Sequence, residues 1–188
     1  MKWSINEFCE ALDHEFNGID PLVDLYGVRL DESWGLKQFC GMQTLKSVDF
    51  LVRHKASYLF LEFSDIGRQI DKVFKEIEVI KGSNLDKTFK RSQSKKIKKA
   101  VGREAKDKYL ATCQIFSHTD GCLDDSPALS KGCKFVVVFA PIENHLPNGR
   151  KIEIMKFIQN MENNLKSMIP DDMFHGVKIV PLEVFLNL

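Results

Sequence analysis

The run Phe135-Val136-Val137-Val138-Phe139-Ala140 constrains the fold more than any other stretch of the chain. It is apolar at every position, so an extended strand built from it must be covered on both faces. The apolar stretch ends at Ile142, far short of the length that crosses a bilayer. Covering elements follow it. Lys151 to Ile169 carries Ile154, Ile158, Met161 and Leu165 at helical spacing, and Val177 to Phe185 reads as a strand. Pro181 marks that strand as an edge or a bulge. A helix between two strands predicts a parallel crossover.

Upstream, Val48–His54 and Tyr58–Ser64 are rich in β-branched and aromatic residues around a short polar connection, and read as a hairpin. Ser64 or Asp65 then caps a helix with the stripe Ile66, Ile70, Val73, Phe74, Ile77 and Ile80. Gly82-Ser83-Asn84 ends it, and a very basic helix runs from about Asp86 to Phe116. At the start, Ser4 and Glu7 form a capping box ahead of Ile5, Phe8, Cys9, Leu12 and Phe16, which predicts a first helix. Residues 17–46 are broken by Asp20-Pro21 and Gly27 and read as a long loop, tucked onto the core by Trp34, Phe39 and Met42. A polar loop spans Ser117 to Lys131. The expected fold is α/β (mixed α+β), one domain over 1–188. It has a small mixed central sheet, an antiparallel hairpin within it, and flanking helices. At 188 residues and 44% apolar composition, folding buries roughly 70% of the unfolded surface, enough for a real core.

A net charge of +1 provides no global field toward nucleic acid or membrane. Five cysteines without a C-x-x-C pair, and an acidic start (Glu7, Glu10, Asp13) unlike a signal peptide, predict reduced thiols and a cytoplasmic setting.

Hairpin arithmetic yields the sharpest functional signal. A two-residue turn pairs His54 with Ser57, and a four-residue loop pairs Arg53 with Tyr58. Both registers set Leu51 opposite Phe60 and Asp49 opposite Glu62. The two carboxylates then share one face with Cβ atoms about 4.5–5.5 Å apart. Like charges in that position are unfavourable unless a cation bridges them or one keeps its proton. Mg²⁺ is bound by one or two carboxylates plus waters and phosphate oxygens. The plainer alternative is a backbone-capped Asp49, with Glu62 in solvent or paired to Arg53 or Arg68.

Ser47-Val48-Asp49-Phe50-Leu51-Val52 followed by Leu59-Phe60-Leu61-Glu62-Phe63-Ser64 resembles the core of the PD-(D/E)XK superfamily of restriction-endonuclease-like nucleases. The resemblance covers roughly residues 45–80, with looser agreement of element order to an αβββαβ core. It implies that Asp49 and Glu62 hold Mg²⁺, which activates water against a phosphodiester. It also implies a further metal-side carboxylate from the first helix, where Glu15 is better placed than Glu10. Val48 stands where the family has Pro. Ser64 stands at the position of the catalytic Lys, and a hydroxyl does not stabilise transition-state charge as an ammonium does. Lys72 or Lys46 is the nearest substitute in sequence.

From Asp86 to Lys108 the chain has ten Lys or Arg against three carboxylates, +7, leaving −6 for the remainder of a +1 chain. Lys87, Arg91, Lys95, Lys98, Lys99, Arg103 and Lys106 fall on one half of the helical wheel. This is the footprint of an element that binds the backbone of DNA or RNA without reading sequence. A solvated face, or an acidic protein partner, is the competing explanation. Cys113, His118, Cys122 and Cys133 lack the close pairing of zinc ligands. The sequence thus leaves open a divergent Mg²⁺-dependent nuclease, an inactive nucleic-acid-binding derivative, and a protein-interaction scaffold, such as a component of a defence or toxin–antitoxin-type assembly. It also leaves open an unrelated α/β domain in which the acidic pair is incidental.

Overall fold

The computed structural model describes residues 2–14, 16–20, 22–55, 57–119, 122–124, 133–142, 146–169 and 176–187. Among these residues six strands form one mixed sheet in chain order: β1 (Cys9–Leu12), β2 (Leu22–Arg29), β3 (Phe50–His54), β4 (Ser57–Ser64), β5 (Lys134–Phe139) and β6 (Val177–Pro181). Strands β1 to β4 pair antiparallel, whereas β4–β5 and β5–β6 are parallel. Helices α2 (Ile66–Gly82) and α3 (Lys87–Ser117) connect β4 to β5, and α4 (Asn148–Met168) connects β5 to β6. Two single-turn helices are α1 (Leu36–Phe39) and α5 (Leu182–Phe185).

The apolar strand lies inside the sheet as its composition requires. Phe135, Val137 and Phe139 meet Ile66 and Ile70 of α2, Tyr109 and Phe116 of α3, and Ile154 and Ile158 of α4. Val136 and Val138 face the other way, toward Leu12, Phe16, Leu59, Leu61 and Phe185. Each such side chain contributes about 1.5–3 kcal/mol on burial. Three long helices therefore cover one face, and the turn after β1 together with α5 covers the other.

The hairpin has the tighter of the two expected registers, with His54 opposite Ser57 and Leu51 opposite Phe60. Asp65 caps α2 by accepting from the Arg68 N–H at 3.2 Å, and Asp86 caps α3 through the Thr88 and Phe89 N–H groups.

Two expectations at the N-terminal side are corrected. The capping box forms, but it starts only a 3₁₀ turn at Ile5–Phe8, and the chain continues as β1. The apolar spacing that suggested a helix arises from one turn followed by a short strand. The segment read as a loop contains β2, and Gly27 lies inside that strand. A Cβ there would sit 3.0 Å from both Leu12 Cδ2 and Val52 Cγ2, so a larger residue would push back the side chains that close over the position. Leu30 and Leu36 anchor the following segment, whereas Trp34 is 61% exposed and Phe39 43% exposed. At the C-terminal side the strand stops at Pro181, and α5 follows. Among the described residues no helix is long and apolar enough to cross a membrane.

Candidate active site

Asp49 immediately precedes β3, and Glu62 lies two residues before the end of β4. Continuing the hairpin register one step past Phe50–Leu61 sets them opposite each other. Each is held differently. Asp49 Oδ2 accepts the Phe63 N–H at 2.7 Å. Glu62 Oε1 accepts from Lys108 Nζ at 2.5 Å, and Glu62 Oε2 is buried without a hydrogen-bond partner among the described residues. Lys108 Nζ also stands 4.0 Å from Asp49 Oδ1. One ammonium from α3 thus serves both carboxylates.

A single side chain fixes that helix over the hairpin. Thr112 is fully buried, one turn beyond Lys108. Its hydroxyl donates to the Lys108 carbonyl at 2.8 Å and accepts the Val48 N–H at 3.0 Å. The segment entering β3 is therefore tied to the turn of α3 that carries the amine.

The charges are strained by burial. Burial, then the charge of Asp49, pushes the Glu62 carboxyl well above its usual range, and Lys108 only partly offsets this. Burial likewise raises Asp49, against the opposing pull of Lys108 and the Phe63 N–H. For Lys108 burial disfavours the charge, but Glu62 and Asp49 outweigh it and hold its pKa above the ordinary lysine value. Asp31, which follows β2, is also raised by burial and adds its field to the pair.

These groups line an open cavity of about 510 Å³. Seven carboxylates and four Lys or Arg side chains contribute to its wall. Ser64 lines it with its hydroxyl accepting from Gln69 Nε2 at 3.3 Å, and Lys72 reaches it from α2. The amine in contact with the acidic pair, however, is that of Lys108. Lys46 is exposed, and Glu15 lies outside the described residues. Among the described residues no three His, Cys, Asp or Glu side chains are arranged to hold a metal ion. Two carboxylates with an orphaned buried oxygen nevertheless suit a hard cation that keeps most of its waters, as Mg²⁺ does.

Lys108 was legible in one respect. It shares the face of Ile97, Val101, Thr112 and Ile115, so it is a cation on the apolar side of its helix. Such a residue requires a buried counter-charge. The predicted phosphate-binding residues lie elsewhere on α3: Lys87, Arg91, Lys95, Lys98, Lys99 and Arg103 are exposed and Lys106 is half-buried. Lys95, Lys99, Arg103 and Lys106 fall about 140–180° around the helix from Lys108. Lys87, Arg91 and Lys98 lie about 60–100° from Lys108, so the basic residues run from the flank to the far side of α3, and none of them lines the cavity.

No protein-family model matches the chain, and no curated protein and no solved structure matches it either.

Proposed function

We propose that the protein is a divergent, metal-dependent phosphodiester hydrolase of the restriction-endonuclease-like kind, acting on DNA or RNA. The observation that carries this is the Lys108 ammonium against Glu62 and Asp49. It supplies from α3 the cation that Ser64 cannot supply from β4. Antiparallel β2-β3-β4 followed by helices and a parallel β5 agrees with the family's βββαβ order, although a 3₁₀ turn and β1 stand where its leading helix is expected.

Asp49 and Glu62 would hold the divalent cation, and the buried Glu62 Oε2, which has no hydrogen bond among the described residues, is the observation that fits one. When bound, Mg²⁺ would supply Lewis-acid polarisation of a phosphoryl oxygen and a water of lowered pKa. Lys108 stays protonated beside the pair and offers charge to a developing oxyanion, the role of a preorganised cation. Phe63 N–H holds Asp49 in its rotamer. Directly beside Asp49 and Glu62, a phosphodiester would be favoured only with a divalent cation offsetting the two carboxylates. The outer face of α3 then acts as a docking surface for backbone phosphates away from the cleft.

Mn²⁺ binding followed by electron paramagnetic resonance tests the metal centre. Wild type should bind one ion, and Asp49→Asn and Glu62→Gln should each weaken it at least tenfold. Equal binding by all three proteins would refute the assignment.

A second reading, a protein-interaction scaffold, draws on one feature. No residue from 78 to 101 is buried, and Val79, Leu85 and Phe89 are 74%, 48% and 48% exposed on this helical arm. Salt-insensitive capture of a protein partner by the arm, without cleavage of nucleic acid, would favour it.

A further inference from the structure

The cavity has a second polar wall. It passes over the end of β4, since Phe16, Phe63 and Ser64 line it as well as Glu62. His14, in the turn between β1 and β2, belongs to that wall and is only 8% exposed. Its ring stacks on Phe16, with centroids 4.6 Å apart, and tilts against Phe63 at 5.5 Å. The Phe16 N–H donates to His14 Nδ1 at 3.3 Å, so the neutral ring carries its proton on Nε2. That Nε2–H is buried and has no acceptor among the described residues. A buried donor left unpaired is costly, and native proteins keep such groups where a ligand or water completes them.

Arg29, at the end of β2, lines the same cavity and is equally buried. Its guanidinium lies 4.1 Å over the Phe50 ring, and the Phe50 and Phe63 rings are 6.2 Å apart. Arg29 and His14 therefore flank one aromatic floor. Arg29 Nε donates to Glu10 Oε1 at 2.6 Å, which fixes the guanidinium plane. Nη1 is ion-paired with Asp31 Oδ1 at 3.8 Å, beyond hydrogen-bond length, and among the described residues the terminal N–H groups make no hydrogen bond.

We propose that His14 Nε2–H and the Arg29 guanidinium form a phosphate-binding subsite on the Phe63 side of the cavity, separate from the Asp49–Glu62 pair. The guanidinium provides charge and a fork of N–H donors matched to phosphate oxygens. The imidazole adds one directed donor. Attribution of the phosphate to a nucleic acid rests on the hydrolase reading; the subsite itself does not. Its phosphate is either a terminal monoester or the internal diester next to the cleaved one.

The test is a titration of the full chain with inorganic phosphate in EDTA, reading the His14 side chain by proton–nitrogen NMR. EDTA removes any metal, so failure of the hydrolase reading leaves the outcome untouched. The Nε2–H resonance should move saturably while Nδ1 stays unprotonated. His14→Phe keeps the ring packing and should weaken phosphate binding at this site about tenfold or more, whereas His14→Gln, which restores a donor, should recover much of it. A short oligonucleotide with and without a 5′-phosphate then separates the sources. A gain from the terminal phosphate that His14→Phe erases identifies a monoester. Equal binding of both oligonucleotides, each weakened by His14→Phe, identifies an internal diester. A His14 resonance unmoved by phosphate, or His14→Phe binding phosphate as wild type does, overturns the proposal.

Discussion

Lys108 Nζ lies 2.5 Å from Glu62 Oε1, although the two residues are 46 positions apart in the chain. The contact joins a helix to the middle of the sheet and leaves Glu62 with one oxygen bonded and one bare. Replacing Lys108 with Met should keep the stem's packing and remove the charge. Metal-dependent cleavage should fall about 10²–10³-fold, the usual loss for one preorganised charge-stabilising group. Stability should fall by about 1–3 kcal/mol, as expected when a buried acceptor loses its partner. Single-turnover kinetics and urea unfolding measure the two effects separately.

The raised Glu62 pKa fixes the sign of a pH effect. Unfolded, Glu62 titrates near its ordinary 4.5; folded, burial and Asp49 carry it to about 8. The proton is thus held more tightly by the folded state. Its stabilising contribution is fully present below about pH 4.5 and is lost as pH rises toward 8. Thermal melts of metal-free protein should show this decline relative to Glu62→Gln, which lacks the titration. Saturating Mg²⁺ should flatten it, because the cation favours ionised carboxylates.

Much of the fold could be read before any coordinates, for physical reasons that differ by element. The FVVVFA strand, the hairpin and the helices with strong stripes announce themselves, because a buried face imposes a period on the residue types. The register linking Asp49 to Glu62 followed from counting, since Leu51 meets Phe60 in either of the turns considered. β1 and β2 were hidden because they lie toward one edge of the sheet: Tyr26 is 62% exposed, Leu25 38%, and Gly27 interrupts the alternation. Lys108 was hidden by its neighbours. Among so many helical cations, the one that matters differs only in facing inward, and which carboxylates it meets depends on how α3 packs across the sheet. His14 and Arg29 left no sequence signal, because their roles arise from packing over the end of β4.

The clip between α3 and the hairpin has its own consequence. Thr112→Val removes the acceptor of the Val48 N–H and leaves that buried donor unpaired, at a cost of about 1–3 kcal/mol. It also frees the turn carrying Lys108. Cleavage should therefore drop while Mn²⁺ binding to Asp49 and Glu62 persists. Loss of both together would show that Thr112 supports the whole site.

The outer face of α3 predicts a different kinetic signature. Lys95, Lys98, Lys99 and Arg103 are all exposed, so replacing them with Gln should leave the melting temperature nearly unchanged. Binding to DNA or RNA should lose most of its salt dependence; engaging about five phosphates gives a log–log slope near −4 in wild type. Because none of these four residues lines the cavity, KM should rise while kcat stays close to wild type. A fall in kcat alone would mean that the face belongs to the cleft.

Relocating the amine tests the central claim most directly. Ser64 lies on the same strand face as Glu62, and the proposed hydrolase reading would place a lysine there. The measurement is the single-turnover rate of Mg²⁺-dependent cleavage of labelled DNA and RNA by wild type, Glu62→Gln, Lys108→Met, and Lys108→Met combined with Ser64→Lys. Wild type should cleave, Glu62→Gln should not, Lys108→Met should be slowed about 10²–10³-fold, and the added Ser64→Lys should recover a substantial part of that loss. If folded wild type cleaves neither substrate with Mg²⁺ or Mn²⁺, or if Lys108→Met cleaves as fast as wild type, the account is contradicted and the Lys108–Glu62 contact is a structural ion pair.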